Sequence, residues 1–214
     1  MINKNITSQL AQGIAELGLM VSSEQQDKLL AYLALLSEWN RVYNLTAIRE
    51  PSEMVTRHVL DSLSLVPYLQ GNYFLDVGSG AGIPGLILAI ACPAQQWRLL
   101  DSNGKKTRFM QHAITALQLR NSQVQCQRVE QYSHTPCFDQ ITSRAYSDLI
   151  SFYQQTQHLA HHHTQWLAMK GIYPDAELMA LKKALNHDVM TEIIPLHIPF
   201  LNAQRHVVKL WREN

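Results

Sequence analysis

The sequence predicts an α/β protein: a mostly parallel, seven-stranded sheet with an antiparallel C-terminal hairpin, preceded by an N-terminal helical extension. Three observations carry this reading. No strand pattern appears before residue 73. From Tyr73 onward, short apolar strands alternate with helical periodicities, the pattern of a doubly wound sheet. The last two strand-like segments have no helix between them, so they should pair antiparallel. The division expected is 1–70 for the extension, packed on the remainder, and 71–214 for the sheet domain.

The extension begins with helical periodicity. In EQQDKLLAYLALLSEWNRVY, Leu29, Leu30, Leu33, Leu36 and Trp39 recur at the spacing of an amphipathic helix, and Ser23 with Gln26 forms a capping box before it. A polar link, NLTAIREPS, follows. Pro51-Ser52 then opens another helix running through Met54, Val55 and His58. YFLDV is the first strand and ends in a glycine-rich turn, after which Pro84 is placed to open the helix GLILAIAC. QWRLLD is the second strand and GKKTRFMQHAITALQL a helix with a basic first half. SQVQCQRV and FDQITSRA are the third and fourth strands, DLISFYQQTQHLA a helix, TQWLAMK the fifth strand and AELMALKKALN a helix. DVMTEIIPLHIPF and RHVVKLWR close the chain, joined by a polar turn at Leu201-Asn202-Ala203-Gln204. His161-His162-His163 reads as a solvated turn between helix and strand. Three adjacent histidines cannot converge on one metal, and no metal is expected.

Composition bounds the function classes. The chain is 46% apolar and only 16% charged, with a formal net charge of +1. No apolar run reaches the ~18 residues of a membrane span. The start lacks the apolar core and small-residue cleavage site of a secretory leader, so a cytoplasmic protein is expected. Cys92, Cys126 and Cys137 share no C-x-x-C spacing and read as reduced interior thiols. The charge balance is slightly acidic before residue 101 and slightly basic after it, which permits a nucleic-acid partner without announcing one.

The most informative stretch is Asp76-Val77-Gly78-Ser79-Gly80-Ala81-Gly82-Ile83-Pro84-Gly85. A strand running into glycines and then a helix lets a ligand approach bare backbone at the carboxyl edge of a Rossmann-like sheet. Asp101 closes the next strand, where an acid is suited to accept hydrogen bonds from both ribose hydroxyls of an adenosine. Formally the turn satisfies G-x-G-x-x-G, so a nicotinamide or flavin dinucleotide stays open. Two features favour S-adenosylmethionine: Asp76 lies where a pyrophosphate would have to sit, and the third glycine is misplaced when counted from Gly78.

Several segments together resemble one family closely. They are Trp39-Asn40-Arg41-Val42-Tyr43-Asn44-Leu45-Thr46, Arg57-His58-Val59-Leu60-Asp61-Ser62, the glycine turn, Leu100-Asp101-Ser102, Arg128-Val129-Glu130, Ser143-Arg144-Ala145, Ala168-Met169-Lys170-Gly171 and Arg205-His206. On these the chain resembles the bacterial small-subunit ribosomal RNA guanine-N7 methyltransferases, the RsmG or GidB family. The glycine turn alone would name only a superfamily; the first two segments make the match specific. The resemblance implies a class I methyltransferase fold with S-adenosylmethionine lying against Gly78 and Ile83. It implies that Val129-Glu130 meets the adenine and that Arg144 lies at the cofactor site facing the substrate. Ser79-Gly80-Ala81 stands where many relatives have Thr-Gly-Pro, and Gln131 replaces a second acid after Glu130.

The cofactor set expected is therefore Asp76, Gly78, Gly80, Ile83, Asp101, Val129, Glu130 and Arg144. Guanine N7 carries an exposed lone pair and needs no deprotonation, so Arg144 is expected to position substrate, with no general base. Asn44, His58, Lys170 and Arg205 are the candidates for contact with RNA, with His206 beside them. If the extension does not fold over the cofactor edge, Asn44 is a turn residue and His58 a packing group. Asp61 is expected to cap its helix or pair with Arg57 one turn away. Lys105, Lys106 and Arg108 read equally as a solvated basic face or as contacts to RNA backbone. The resemblance implies methylation of 16S ribosomal RNA in the 30S subunit or an assembly intermediate, by a monomer with no membrane partner. The alternative is a class I methyltransferase acting on a small molecule or protein.

Overall fold

The computed structural model describes residues 4–144, 148–185 and 189–213. Ala145, Asn186 and Asp188, which sequence reasoning places at the ends of a strand, a helix and a strand, lie outside them.

Helix α1 (Lys4–Glu16) buries Ile6, Leu10 and Ile14 along one stripe. Helix α2 (Ser23–Tyr43) is capped by Ser22, not Ser23: its side chain accepts from the Gln25 amide N–H, and Gln25 Oε1 accepts from the Ser22 N–H. The tandem Ser22-Ser23 and Gln25-Gln26 offer two registers. The earlier one wins because the Gln25 side chain can then also donate to the carbonyls of Ile90 and Ala91, which end a later helix. Helix α3 (Pro51–Met54) continues into a π-helical turn at Val55–Leu60 and then α4 (Asp61–Leu63), where sequence periodicity predicts one plain helix.

The sheet follows. Strand β1 (Tyr73–Val77), helix α5 (Gly85–Ala91), β2 (Gln96–Asp101), α6 (Gly104–Ala116) and β3 (Ser122–Cys126) build one half. Strand β4 (Phe138–Arg144), α7 (Leu149–Thr156), β5 (Ala160–Lys170), α8 (Asp175–Ala184), β6 (Val189–Pro195) and β7 (His206–Arg212) build the other. The strand order is β3-β2-β1-β4-β5-β7-β6, and β7 runs antiparallel between β5 and β6. This is the seven-stranded, mostly parallel sheet that the sequence predicts. The chain winds outward from β1 in one direction and from β4 in the other, so the switch point, and with it the crevice for a ligand, lies at their carboxyl ends.

Three strand boundaries differ from expectation: the end of β3, the start of β5 and the end of β6, which stops at Pro195 rather than running to Phe200. Strand β3 stops at Cys126 because its partner β2 ends at Asp101. The chain then turns, and Val129–Gln131 forms a 3₁₀ turn. Strand β5 starts at Ala160, paired with Phe138, so the three histidines lie in a strand rather than a turn. His161 Nε2 sits 3.3 Å from Asp139 Oδ1, while His162 and His163 are exposed. No cluster of three metal-ligating side chains occurs among the described residues. The cysteines are not all interior, since Cys126 is exposed.

Alternation along β1 sorts the two cores. Leu75 and Val77 face the layer of α7 and α8, while Phe74 faces the layer of α5, α6 and the extension. Phe74 stacks on Trp97 with ring centroids 4.6 Å apart, both fully buried. The core on that side runs unbroken from Leu10, Leu29 and Leu36 of the extension to Leu86, Phe109 and Met110. No helix among the described residues is long and apolar enough to cross a membrane.

Leu36 is fully buried in this shared core. Leu36→Ala is expected to cost about 2–5 kcal/mol in urea unfolding, within a single transition. A loss below about 1 kcal/mol, or a separate early transition, would show that the extension does not fold as part of the same unit.

Candidate active site

The glycine turn is held by spending its own donors. Gly78 and Ser79 donate their N–H groups to the Leu100 carbonyl at 2.8 and 3.1 Å, and Gly80 donates to Asp101 Oδ2 at 2.9 Å. Gly82 and Ile83 donate to the Ser79 carbonyl, and the Ser79 hydroxyl donates to the Asp76 carbonyl at 2.7 Å. From the extension, the buried Tyr32 hydroxyl donates to the Ala81 carbonyl at 2.8 Å. Gly78 and Gly80 have φ of 68° and 60°, a region that disfavours any Cβ. At Gly85 the constraint is space: a Cβ there would collide with the Leu99 side chain and press on the Asp76 carboxylate.

Asp76 is completely buried. Its Oδ2 accepts from the Gly85 N–H at 3.0 Å and its Oδ1 has no partner. Burial pushes its pKa up to about 7, against the opposing pull of the Gly85 hydrogen bond and the Arg144 charge. Asp101 lies at the end of β2, accepting from Gly80 on one oxygen and from the Asn103 N–H on the other, with Lys106 Nζ at 4.0 Å.

Next to the turn is a crevice of about 250 Å³, lined by Gly78, Asp101, Lys106, Arg128, Val129 and Glu130 among others. Val129 is its buried wall and Glu130 stands exposed at the rim. Arg128 lines it because β3 stops early. Sequence reasoning placed this residue inside the strand and missed it. Ile83 is buried in the core under the turn and does not line this crevice. A larger cavity, of about 540 Å³, opens at the amino-terminal ends of β2 and β3 between Ser22, Lys28, Arg120 and Asn121, away from the turn. The smaller one, at the carboxyl ends of β1 and β2 beside the glycine turn and Asp101, is the candidate ligand site.

The second half of the site is built around Asp61, which is 2% exposed. Arg144, at the end of β4, donates through one terminal nitrogen to the Arg57 carbonyl at 2.7 Å and to Asp61 Oδ2 at 3.2 Å. Arg205, just before β7, donates from Nε to Asp61 Oδ1 at 3.0 Å. The expected pairing of Asp61 with Arg57 does not form. The intervening π-helical turn is wider than an α-turn and takes the two out of line, so Arg57 meets Glu53 at 3.9 Å instead.

His58 joins the same cluster. The second terminal nitrogen of Arg144 lies 3.4 Å from His58 Nδ1, and Thr46 Oγ1 lies 3.0 Å from Nε2. A guanidinium can only donate, so Nδ1 accepts and Nε2 carries the proton. Burial, and then the Arg144 charge, hold the His58 pKa down at about 4. Thr46 is placed in turn by its N–H, which donates to Asn40 Oδ1 at 2.9 Å.

The structure thus brings Gly78, Asp101, Val129 and Glu130 around one crevice, with Gly80 bound to Asp101 behind it and Asp76 wholly buried off its lining, and His58, Arg144 and Arg205 around Asp61. Asn44 joins neither: it is exposed, closes α2 in the left-handed conformation and accepts from Arg49 at 2.8 Å. Lys170 is bound to Glu177 of α8 at 2.8 Å. Lys106 lines the crevice, whereas Lys105 and Arg108 are exposed.

A family model described as rRNA small subunit methyltransferase G matches residues 25–208. A protein named ribosomal RNA small subunit methyltransferase G from Laribacter hongkongensis is 47% identical over 96% of this chain and 98% of its own length. One of the same name from Ectopseudomonas mendocina is 48% identical over 99% of this chain and 98% of its own. Among solved structures, the magnesium protoporphyrin IX methyltransferase of Synechocystis PCC 6803 superposes with a TM-score of 0.56 at 14% identity. It covers 87% of this chain and 97% of its own, a likeness of fold.

The depressed His58 pKa has a consequence for stability. A base with a folded-state pKa of about 4 and an ordinary value of 6.5 contributes stability that is intact above pH 6.5 and is lost as pH falls toward 4. Wild type should lose about 2 kcal/mol more than His58→Asn in urea unfolding on going from pH 7 to pH 5. Equal losses in the two proteins would mean that His58 titrates normally.

Proposed function

Because the chain belongs to the rRNA small subunit methyltransferase G family, we propose that it transfers the methyl group of S-adenosylmethionine to N7 of a guanine in small-subunit ribosomal RNA. The observation that carries this reading is the glycine turn itself. The N–H groups of Gly78, Ser79, Gly80, Gly82, Ile83 and Gly85 are all spent within the protein. A dinucleotide site needs such donors for its pyrophosphate, so this turn lacks the phosphate cradle.

The residues present suit a nucleoside joined to an amino acid and free of phosphate. Asp101 stands where ribose hydroxyls can donate to its remaining lone pairs, and Val129 and Glu130 provide an apolar wall and an acceptor for adenine. The unpartnered Asp76 Oδ1 is a buried acceptor beside the turn, suited to an ammonium group directly or through water. Gly78 gives the crevice its bare backbone surface, with Gly80 fixing Asp101 from behind, while Ile83 only supports the turn from the core. Bound there, S-adenosylmethionine supplies an electrophilic methyl group on a sulfonium.

The protein's own part is positioning. Guanine N7 presents a lone pair on its base edge without losing a proton, so no side chain has to act as a base. Arg144 is held by the Arg57 carbonyl and Asp61, which leaves Nε and one further N–H to donate to an RNA phosphate or base. Arg205 presents a second guanidinium on the other oxygen of Asp61. Two cations against one anion leave a single positive charge in excess, enough to attract RNA. His58 orients Arg144 as a neutral acceptor. Lys170, bound to Glu177, and Asn44, bound to Arg49, stand outside the Asp61 cluster and are assigned at most peripheral contacts to RNA. Our reading includes action in the cytoplasm, as a monomer, on 16S RNA within the 30S subunit or an assembly intermediate.

Incubation with S-adenosylmethionine labelled in its methyl group and 30S subunits from a strain lacking this methyltransferase should label 16S RNA, recovered as 7-methylguanosine. Label in protein alone, or none, would overturn the reading. Arg144→Ala should retain its circular dichroism spectrum and lose about a hundred-fold in kcat/KM; normal turnover would remove Arg144 from the site.

A further inference from the structure

An exposed aromatic ledge stands beside the Asp61 cluster and has no part in the packing described above. Strand β5 ends at Lys170, and Gly171, Ile172, Tyr173 and Pro174 lead from it to α8. Ile172 is 82% exposed and Tyr173 43% exposed, at the carboxyl edge of the sheet. Lys170 pairs with His206 across β5 and β7, and Arg144 pairs with Met169 across β4 and β5. Two strand spacings, about 10 Å, therefore separate the backbone of Arg144 from that of His206.

Tyr173 is held at this edge. Its ring lies 5.5 Å from the His206 ring with the planes at 85°, an edge-to-face contact. His206 Nδ1 is 3.2 Å from the Gly171 carbonyl, which fixes the imidazole from the other side. Arg205 packs close against Gly171: a Cβ there would lie 3.7 Å from its guanidinium. The ledge is thus tied through Arg205 to Asp61 and Arg144. Its composition is an exposed aromatic face, an exposed branched apolar side chain and an adjacent guanidinium. Single-stranded nucleic acid is bound by this combination, with bases stacked on aromatic rings and phosphates on cations.

We propose that Tyr173, braced by His206, is a stacking platform for an unpaired base of the RNA substrate, with Arg205 on the neighbouring phosphate. The assignment rests on the reading of the site as one for ribosomal RNA and adds the residue that would hold the strand beside it. Stacking requires a π face and not the hydroxyl, so the ring is the determinant and the phenol is dispensable.

The test is steady-state methylation of 30S subunits with S-adenosylhomocysteine affinity measured in parallel by calorimetry. Tyr173→Ala and Tyr173→Leu should each raise KM for the subunit about ten-fold or more, leaving S-adenosylhomocysteine affinity and the melting temperature at their wild-type values. Tyr173→Phe should restore the wild-type KM. Unchanged KM in Tyr173→Ala, or an equal loss in Tyr173→Phe, would overturn the platform while leaving the methyltransferase reading intact. A wild-type enzyme that labels no RNA would instead overturn that reading, and the platform with it.

Discussion

Asp61 is a carboxylate almost wholly withdrawn from water, with a guanidinium on each of its oxygens. A buried charge of this kind costs several kcal/mol in desolvation and persists only when its partners are well placed. Here the partners come from distant parts of the chain: Arg144 ends β4, Arg205 precedes β7, and Asp61 itself opens a short helix of the extension. Beside the shared apolar core, one ion cluster therefore ties the extension to the ends of β4 and β7 and sets where two cations stand. Neither arginine could approach the other this closely without the anion between them. Such clusters contribute little net stability, and their value lies in geometry. In this protein the geometry fixes the edge at which RNA is proposed to bind.

The other constraint is how the glycine turn uses its donors. In a phosphate-binding loop the backbone N–H groups point outward and wait for the ligand. In this turn they point inward, to the Leu100 carbonyl, the Ser79 carbonyl and the carboxylates of Asp76 and Asp101. The turn is thereby rigid in itself and presents bare backbone with acids beside it. That surface suits a nucleoside and an ammonium group and rejects pyrophosphate. The two constraints meet at Arg144, whose charge acts on Asp76 while its nitrogens are bound to Asp61 and the Arg57 carbonyl.

Much of the fold was legible because it rests on local patterning. Alternating strands and helices, the missing helix before β7, and the boundaries of β1 and β2 all follow from apolar periodicity and turn residues. The differences arose where a partner decided the outcome. Strand β3 ends where β2 stops offering hydrogen bonds, the histidine run is drawn into β5 by pairing with β4, and the Ser22 cap wins through contacts with α5. The glycine turn and its acids were readable as a ligand site. The Asp61 cluster was not, since a helical wheel directs Asp61 to Arg57 and only the π-helical turn and the docking of β4 and β7 send it elsewhere. Tyr173 carried no signal, because one exposed aromatic residue in a sequence looks like any other until its neighbours are known.

The claim that Asp61 holds the edge together is tested most directly by a double-mutant cycle in urea unfolding at pH 7 between Asp61→Asn and Arg144→Gln. If the two groups act as one unit, their effects on stability are strongly non-additive, with a coupling energy of about 1–3 kcal/mol. Additivity within about 0.5 kcal/mol would contradict it and leave Asp61 as an ordinary buried acid with no hold on the site.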